Sequence, residues 1–287
     1  MIPLSPLGLT AMNSVAEIAA LETLCRSNIA AGEALRSGSL SVVVETGSGI
    51  SVEVETEEEL FVLTEIFLRG VYERQLSGPY TVVDVGMNIG MTSLFFAAKP
   101  EVAKVIGYEL LRPTYEAALR NLTRNPELQA KIQANPYGLW SSDSIFEVAY
   151  DKERRCGLGI GVDPVISDTL EPVLVRRAST ELATLLDTCG TPVVLKLDCE
   201  GAEYEILEDL AASSLLPRFK AVLCEWHRKG PDALTRLLET AGFAVEHKAS
   251  SSPDTGMLYA VGNHRGVHGL ASYLEHASQP NPLVGTA

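Results

Sequence analysis

A short apolar segment that runs into a glycine loop, and from there into a helix, constrains the fold more than any other feature of this sequence. Residues 81–85 have the pattern of a buried strand, and the sequence DVGMNIG follows over Asp84 to Gly90. Gly86 permits a tight turn, while Gly90 lets the N-terminus of the next helix bring its free N–H groups close to an anion. The unit predicts an α/β fold with a ligand at the end of this strand.

The same loop limits which nucleotide can bind. A dinucleotide site favours G-x-G-x-x-G, and Asn88 occupies the place of the second glycine, which leaves less room for a pyrophosphate. Glu109 stands at the end of the next predicted strand, where its carboxylate can accept hydrogen bonds from both hydroxyls of a ribose. These features favour S-adenosylmethionine, a nucleoside that carries a carboxylate, over NAD(P).

Strands and helices alternate from residue 80 to residue 262, which indicates a doubly wound, mostly parallel sheet with helices on both faces. Ligands of such sheets bind beyond the carboxyl ends of the strands, where the strand order reverses. Strands are predicted over residues 81–85, 104–109, 131–137, 145–150, 192–198, 219–226, 243–248 and 257–261, and helices over residues 91–98, 112–124, 180–186, 202–212 and 231–241.

The first 79 residues have a different pattern and are predicted to form an appendage of helices and a β-hairpin. Capping boxes at Ser14 with Glu17 and at Thr56 with Glu59 predict helices over residues 14–35 and 56–71, and residues 40–55 form a hairpin signature around the turn at 46–49.

Three regions follow from this division of the chain. Residues 1–79 are expected to act as a lid or as the interface of a homo-oligomer, and residues 80–262 form the ligand-binding domain. Residues 263–287, rich in Gly, Ser, His and Pro, are expected to be a flexible tail. The acceptor pocket is expected to lie between the N-terminal region and residues 151–171.

A second cluster of polar residues follows two neighbouring strands. Asp198 and Glu200 come directly after the apolar strand at 192–198, and Glu225 and His227 end the next one. Because parallel strands end at the same edge of a sheet, these four side chains are predicted to lie together at the ligand-binding edge.

The motifs around these positions resemble those of the FkbM family of S-adenosylmethionine-dependent methyltransferases. They are DVGMNIG at residues 84–90, YE at 108–109, KLDCEGAEYEIL at 196–207 and CEWH at 224–227, and the resemblance covers roughly residues 80–262. It implies the class I methyltransferase Rossmann-like fold and methylation of hydroxyl groups on natural products and sugars. It also implies that Asp84, Gly86, Asn88, Gly90 and Glu109 line the cofactor, with Asp198 near its methionine end.

A hydroxyl acceptor reacts faster when a base removes its proton. His227 is the first candidate for that base because an unperturbed imidazole titrates near pH 6.5. Glu200 and Glu225 are the next candidates, either as the base or as groups that orient His227. Lys196 projects to the same face as Asp198 and is expected to form a buried ion pair.

A metal-assisted reaction is an alternative. Asp198 and Glu225, at the ends of adjacent strands, could hold a Mg²⁺ that binds the acceptor oxygen and lowers its pKa.

Charge and composition narrow the partners. The 23 basic and 37 acidic residues give a net charge of −14, which disfavours a nucleic-acid partner and is consistent with a small-molecule acceptor. The sequence has no apolar run long enough for a membrane span and no basic n-region of a secretory signal, so a cytoplasmic location is expected. Methylation of nitrogen or a carboxylate, an NAD(P)-dependent oxidoreductase, and a non-catalytic protein of the same fold remain open alternatives.

Overall fold

The computed structural model describes residues 15–38, 40–151, 156–160, 169–250 and 252–262. The predicted cap at Ser14 and the predicted tail at residues 263–287 lie outside this part of the chain. The helices and strands in chain order are α1 (Val15–Arg36), β1 (Val42–Glu45), β2 (Ser51–Val54), α2 (Glu57–Phe67), β3 (Tyr80–Val85), α3 (Met91–Ala97), β4 (Val102–Tyr108), α4 (Arg112–Arg124), α5 (Pro126–Gln129), β5 (Ile132–Asn135), β6 (Gly138–Trp140), β7 (Ser144–Ala149), β8 (Leu170–Arg177), α6 (Ala178–Thr188), β9 (Val193–Leu197), α7 (Glu203–Ala212), β10 (Phe219–His227), α8 (Asp232–Thr240), β11 (Phe243–Ala249) and β12 (Thr255–Gly262).

A seven-stranded sheet in the order β11-β12-β10-β9-β3-β4-β5 forms the centre of the molecule. Strands β5, β4, β3, β9 and β10 pair in parallel, and β12 is antiparallel to both of its neighbours. The chain winds outward from β3 in one direction and then from β9 in the other, so the order reverses between these two strands. The predicted doubly wound, mostly parallel sheet is confirmed, and its switch point lies between the two strands that carry the sequence motifs.

Strands β3 and β9 are buried along their whole length because other elements cover both faces of the sheet. Val83 and Leu195 of these strands share one apolar cluster with Ile206 of α7, and Val82 and Val194 share another with Leu94 of α3. The side chains of Asp84 and Lys196 are the charged exceptions within these two strands.

A separate three-stranded sheet, in the order β6-β8-β7, is inserted between β5 and α6. The strand predicted at 145–150 is confirmed in β7, but it belongs to this small sheet. The single strand predicted at 131–137 is β5 alone, and the chain then leaves the central sheet for β6.

The sequence pattern does not predict strand β8, since Pro172 interrupts its run of strand-forming residues. The structure accommodates this proline since β6 pairs only with Val175 to Arg177, so only β7 flanks Pro172. A residue without an N–H is tolerated where one side of the strand has no partner.

The N-terminal elements pack on the side of the sheet that carries α3 and α4. The hairpin and the capping box at Thr56 and Glu59 are confirmed, and α2 ends at Phe67, before Gly70 takes a positive φ of 59°. Side chains of β1, β2 and α2 share one apolar cluster with β3 and α3, and Asn121 of α4 bonds the backbone of Glu53. Among the described residues, no helix has both the length and the apolar character that crossing a bilayer requires.

Candidate functional site

Lys196 ties together the two strands at the switch point. Its Nζ lies 2.9 Å from Oδ1 of Asp84 and donates to the carbonyl oxygen of Gly86 at 2.8 Å, and Ser93 donates to the other oxygen of Asp84 at 2.7 Å. Burial alone would lower the pKa of Lys196, but the charges of Asp84 and Asp198 outweigh it and raise this pKa. The predicted buried ion pair is confirmed. We call Asp84, Ser93 and Lys196 the lysine cluster.

This pairing defines what Asp84 does in the structure. Its side chain is fully buried and contacts Lys196 and Ser93, so it helps to hold the start of the glycine loop in place. A role for Asp84 in lining the cofactor stays a prediction.

The glycine loop is shaped by contacts that exclude a side chain. Gly86 has a φ of 78°, and a Cβ built on it would lie 1.8 Å from the carbonyl oxygen of Asp198. Gly90 has a φ of 88° and precedes α3, while Asn88 has a φ of 50° and accepts from the N–H of Ile89. Only glycine meets both demands at position 86, the positive φ and the close approach of another main chain.

Glu109 closes the loop from the neighbouring strand. One carboxylate oxygen accepts from the N–H of Asn88 at 3.1 Å and the other from the N–H of Leu111 at 2.9 Å. Burial raises the pKa of Glu109 to about 7 in spite of these two bonds, which lower it. Leu111 thus supplies a donor that fixes the carboxylate.

A small apolar cleft lies beside this loop. Its walls come from the ends of β3, β4 and β9 and from the inserted sheet, and they include Val85, Gly86, Tyr108, Leu110, Leu139 and Ile160. Apolar walls next to a carboxylate and a glycine turn are chemically suited to the base and the ribose of a nucleoside.

The second cluster is built around His227 at the end of β10. His227 is only 7% exposed, and its Nδ1 lies 2.5 Å from Oε1 of Glu203, the fully buried first residue of α7. Its Nε2 faces Oε2 of Glu200 at 3.7 Å and Oδ1 of Asp198 at 3.9 Å. We call Asp198, Glu200, Glu203 and His227 the histidine cluster.

A residue of the N-terminal segment reaches this cluster. The hydroxyl of Tyr72 donates to Oδ2 of Asp198 at 2.8 Å, and the ring is buried against Phe96. Burial and the charge of Asp198 hold the pKa of Tyr72 well above its usual value, so the phenol keeps its proton and stays a donor. The hydrogen bond occupies one oxygen of Asp198 and leaves the other directed at His227.

The protonation of the cluster differs from the sequence expectation. Burial by itself lowers the pKa of His227, but the hydrogen bond to Glu203 and the charges of Glu200 and Asp198 outweigh it and raise this pKa to about 10. The sequence prediction of His227 as the base starts from an unperturbed imidazole, whereas carboxylates surround the ring in the structure and raise its pKa. The base role of His227 stays a prediction. Burial raises the pKa of Glu200 to about 7 and also raises that of Glu225.

The predicted positions are therefore brought together in two groups. One group lies at the glycine loop and consists of Gly86, Asn88, Gly90 and Glu109. The other lies at the ends of β9 and β10 and consists of Asp198, Glu200 and His227. Among the described residues, the His, Cys, Asp and Glu atoms close enough to share a metal ion belong to Asp198, Glu200 and His227. Glu225, predicted as a metal ligand with Asp198, lies on the same face of β10 as His227 but outside this set of three.

Two site residues went unassigned in the sequence. Glu203 belongs to the motif CEGAEYEIL, but nothing in the motif shows that it faces the ring of His227. Tyr72 lies 126 positions before its partner Asp198 and carries no local signal.

The loop at 156–160 packs over the histidine cluster. A Cβ at Gly159 would lie 2.7 Å from Cβ of Glu200, and the N–H of Cys156 donates to the carboxylate of Glu58 in α2. This loop and the N-terminal segment thus border the cluster on the side away from the sheet.

The fold and the two groups of residues agree with the family comparison. The model of the methyltransferase FkbM domain matches residues 84–245, more than half of the chain, and the chain belongs to this family. It is a methyltransferase that uses S-adenosylmethionine.

Individual relatives are distant. Methyltransferase sdnD of Sordaria araneosa is 27% identical over 233 residues, which cover 69% of this chain and 87% of that protein. The AMB antimetabolite synthetase AmbE of Pseudomonas aeruginosa is 27% identical over 236 residues, which cover 67% of this chain and 11% of AmbE. The crystal structure of methyltransferase FkbM from Methylobacillus flagellatus is 15% identical with a TM-score of 0.47 and covers 69% of this chain and 47% of that one.

Proposed function

We propose that this protein transfers a methyl group from S-adenosylmethionine to a hydroxyl group of a small molecule, such as a natural product or a sugar. One observation carries the proposal: the turn at Gly86 touches the main chain of Asp198, so the donor loop and the histidine cluster are neighbours. A methyl donor in the cleft and an acceptor at the cluster would meet at this contact.

The residues around the glycine loop must bind S-adenosylmethionine and align its methyl group with the acceptor. S-adenosylmethionine supplies a methyl group that its positive sulfur already activates. Asn88 and Glu109 would hold the nucleoside, the cleft would take its base, and the carboxylates beyond Gly86 would favour its positive end. Holding both reactants in line supplies most of the acceleration in such a reaction.

A side chain beside the acceptor must take up the proton that the hydroxyl loses. Glu225 is partly buried, its pKa is raised by that burial, and it shares a face of β10 with His227, so we assign it the base role with Glu200 as the second candidate. His227 is held by Glu203 and faces Asp198 and Glu200, so we assign it to positioning the acceptor side of the site rather than to removing the proton.

The charge of the site favours a hydroxyl over a carboxylate. The carboxylates of the site, Asp198, Glu200, Glu203 and Glu225, would repel a carboxylate acceptor, whereas a neutral hydroxyl can give its proton to one of them. An amine is the second candidate acceptor because it too would give its proton to a carboxylate.

The test is methyl transfer from labelled S-adenosylmethionine to a panel of hydroxyl, amine and carboxyl compounds, with products identified by mass. A methyl ether survives mild alkali and a methyl ester does not, so alkaline treatment separates the two products. The variant Glu225→Gln should lower turnover by about 10²-fold or more with unchanged affinity for S-adenosylhomocysteine, and Glu246→Gln, an exposed carboxylate on β11, serves as the control. Labelled amines or esters with no labelled ether would refute the proposal.

A further inference from the structure

We propose that Asp198, Glu200 and His227 bind a divalent first-row transition-metal ion, such as Mn²⁺ or Zn²⁺, and that Glu203 is the positioning residue that orients His227 toward it. The role of this ion rests on the proposed function, because it would lie beside the acceptor oxygen. The ion-binding itself does not depend on which acceptor the protein uses.

The distances within the histidine cluster fit a shared ion. Nε2 of His227 lies 3.7 Å from Oε2 of Glu200 and 3.9 Å from Oδ1 of Asp198, and all three atoms lie within 4.8 Å of one another. These separations exceed a hydrogen bond. Two atoms that each bind one ion at about 2.1 Å are roughly 3 to 4 Å apart, so the gap has the size that an ion would fill.

Nε2 of His227 provides the second, independent observation. The side chain is more than nine-tenths buried, and within the described part of the chain Nε2 makes no hydrogen bond while facing two carboxylates. A metal ion at this position would satisfy Nε2 and both carboxylates at once.

The other ring nitrogen is held in the way that metal-binding histidines are held. Nδ1 donates to the fully buried carboxylate of Glu203, which leaves Nε2 as the atom available to a ligand. Metal-binding histidines almost always donate their second nitrogen to a carboxylate, a carbonyl or water.

Contacts on one carboxylate oxygen also orient Asp198. Its Oδ2 accepts from the hydroxyl of Tyr72, and Lys196 lies 3.8 Å from the same atom. Its Oδ1 therefore points to the centre of the cluster. Glu200 follows two residues later, with a φ of 56°.

The donor set selects the kind of ion. Two carboxylate oxygens and one imidazole nitrogen suit Mn²⁺ or Zn²⁺, whereas Ca²⁺ and Mg²⁺ prefer oxygen alone. With the ion beside the acceptor hydroxyl, Glu225 takes the hydroxyl proton. The oxygen–carbon bond then forms as the carbon–sulfur bond breaks, and the sulfur leaves with the electron pair as a neutral thioether.

The binding test uses the full chain and Mn²⁺ as the probe, with electron paramagnetic resonance measuring the free ion, both with and without S-adenosylhomocysteine. We expect a single saturable site from which Zn²⁺ displaces Mn²⁺. His227→Gln and Glu200→Gln should weaken binding by about tenfold or more, and Glu203→Gln by about 10- to 100-fold. Matched controls, the exposed His247→Gln and Asp187→Asn, should bind as the unchanged protein does.

The outcomes separate the two proposals. No saturable site, or equal binding in His227→Gln and Glu200→Gln, overturns the metal site. Glu200 is partly exposed at the cluster, so its variant keeps the test valid if His227→Gln fails to fold. Full methyl transfer after exhaustive chelation removes the ion from the reaction but leaves the proposed function intact. Site-specific Mn²⁺ binding without transfer to any hydroxyl supports the metal site and refutes the proposed function.

Discussion

Two buried side chains that carry nitrogen, Lys196 and His227, lie near the switch point, and their surroundings differ. In the lysine cluster, Lys196 is fully buried and has two oxygen atoms within 2.9 Å. In the histidine cluster, one nitrogen of His227 is bonded at 2.5 Å, while the other faces two carboxylates across gaps of 3.7 and 3.9 Å. Saturated contacts hold a strand pair in place, whereas open contacts leave room for a ligand.

Asp198 connects the two clusters. Its Oδ2 lies 3.8 Å from Lys196 and bonds Tyr72, and its Oδ1 faces His227. The comparison therefore predicts that changes in the lysine cluster affect stability, that changes at Asp198 affect turnover, and that changes at Glu109 affect cofactor affinity alone.

Breaking the lysine cluster should have the largest effect. Lys196→Met leaves the buried charge of Asp84 without its cation, and such a change costs about 3–5 kcal/mol of unfolding free energy. Urea denaturation measures this loss. Lys104→Met, at an exposed lysine on β4, should change stability little, and the double variant Asp84→Asn with Lys196→Met should recover part of the loss. A loss under about 1 kcal/mol would show that the pair is not a structural tie.

Loosening the link between the clusters should have an intermediate effect. Tyr72→Phe removes a hydrogen bond to a charged oxygen, worth about 1.5–3 kcal/mol, and lets Asp198 rotate away from His227. We expect turnover to fall by about tenfold or more while the affinity for S-adenosylhomocysteine holds. Tyr259→Phe is the matched control because its hydroxyl donates to the main-chain carbonyl of Val71 rather than to a carboxylate. Equal turnover in the two variants would contradict a link through Asp198.

Protonation of Glu109 should have the smallest effect, and it should change only the affinity for the cofactor. Burial raises the pKa of Glu109 to about 7, so the ionised form that accepts ribose hydrogen bonds dominates only above that pH. The affinity for S-adenosylhomocysteine should rise by about tenfold between pH 6 and 8, as the ionised fraction does. Calorimetry on Glu109→Gln should show weaker binding with a flat profile. A profile that persists in this variant would assign the titration to another group.

Much of the sheet could be predicted because its signals are local. The apolar strands at residues 81–85 and 192–198, the glycine loop between Asp84 and Gly90 and the capping box at Thr56 each depend on neighbours in the chain. Strand β8 could not be predicted, since tolerance of Pro172 depends on where β6 ends.

The site could be predicted in its residues but not in its protonation. The sequence places Asp198, Glu200 and His227 at one edge, because parallel strands end together. It cannot show that Glu203 bonds the ring of His227 or that Tyr72 reaches Asp198, since both contacts come from tertiary packing. The pKa of His227 depends on those contacts, so its direction could not be predicted from the sequence.

The contact between Gly86 and Asp198 also limits how this protein could change over generations. The atom that a larger residue at position 86 would strike is a carbonyl oxygen of the main chain. Every amino acid at position 198 carries that oxygen, so no side-chain replacement there can make room. A substitution at position 198 therefore cannot compensate for the loss of glycine at position 86. Changes in the specificity of this site must then leave Gly86 in place.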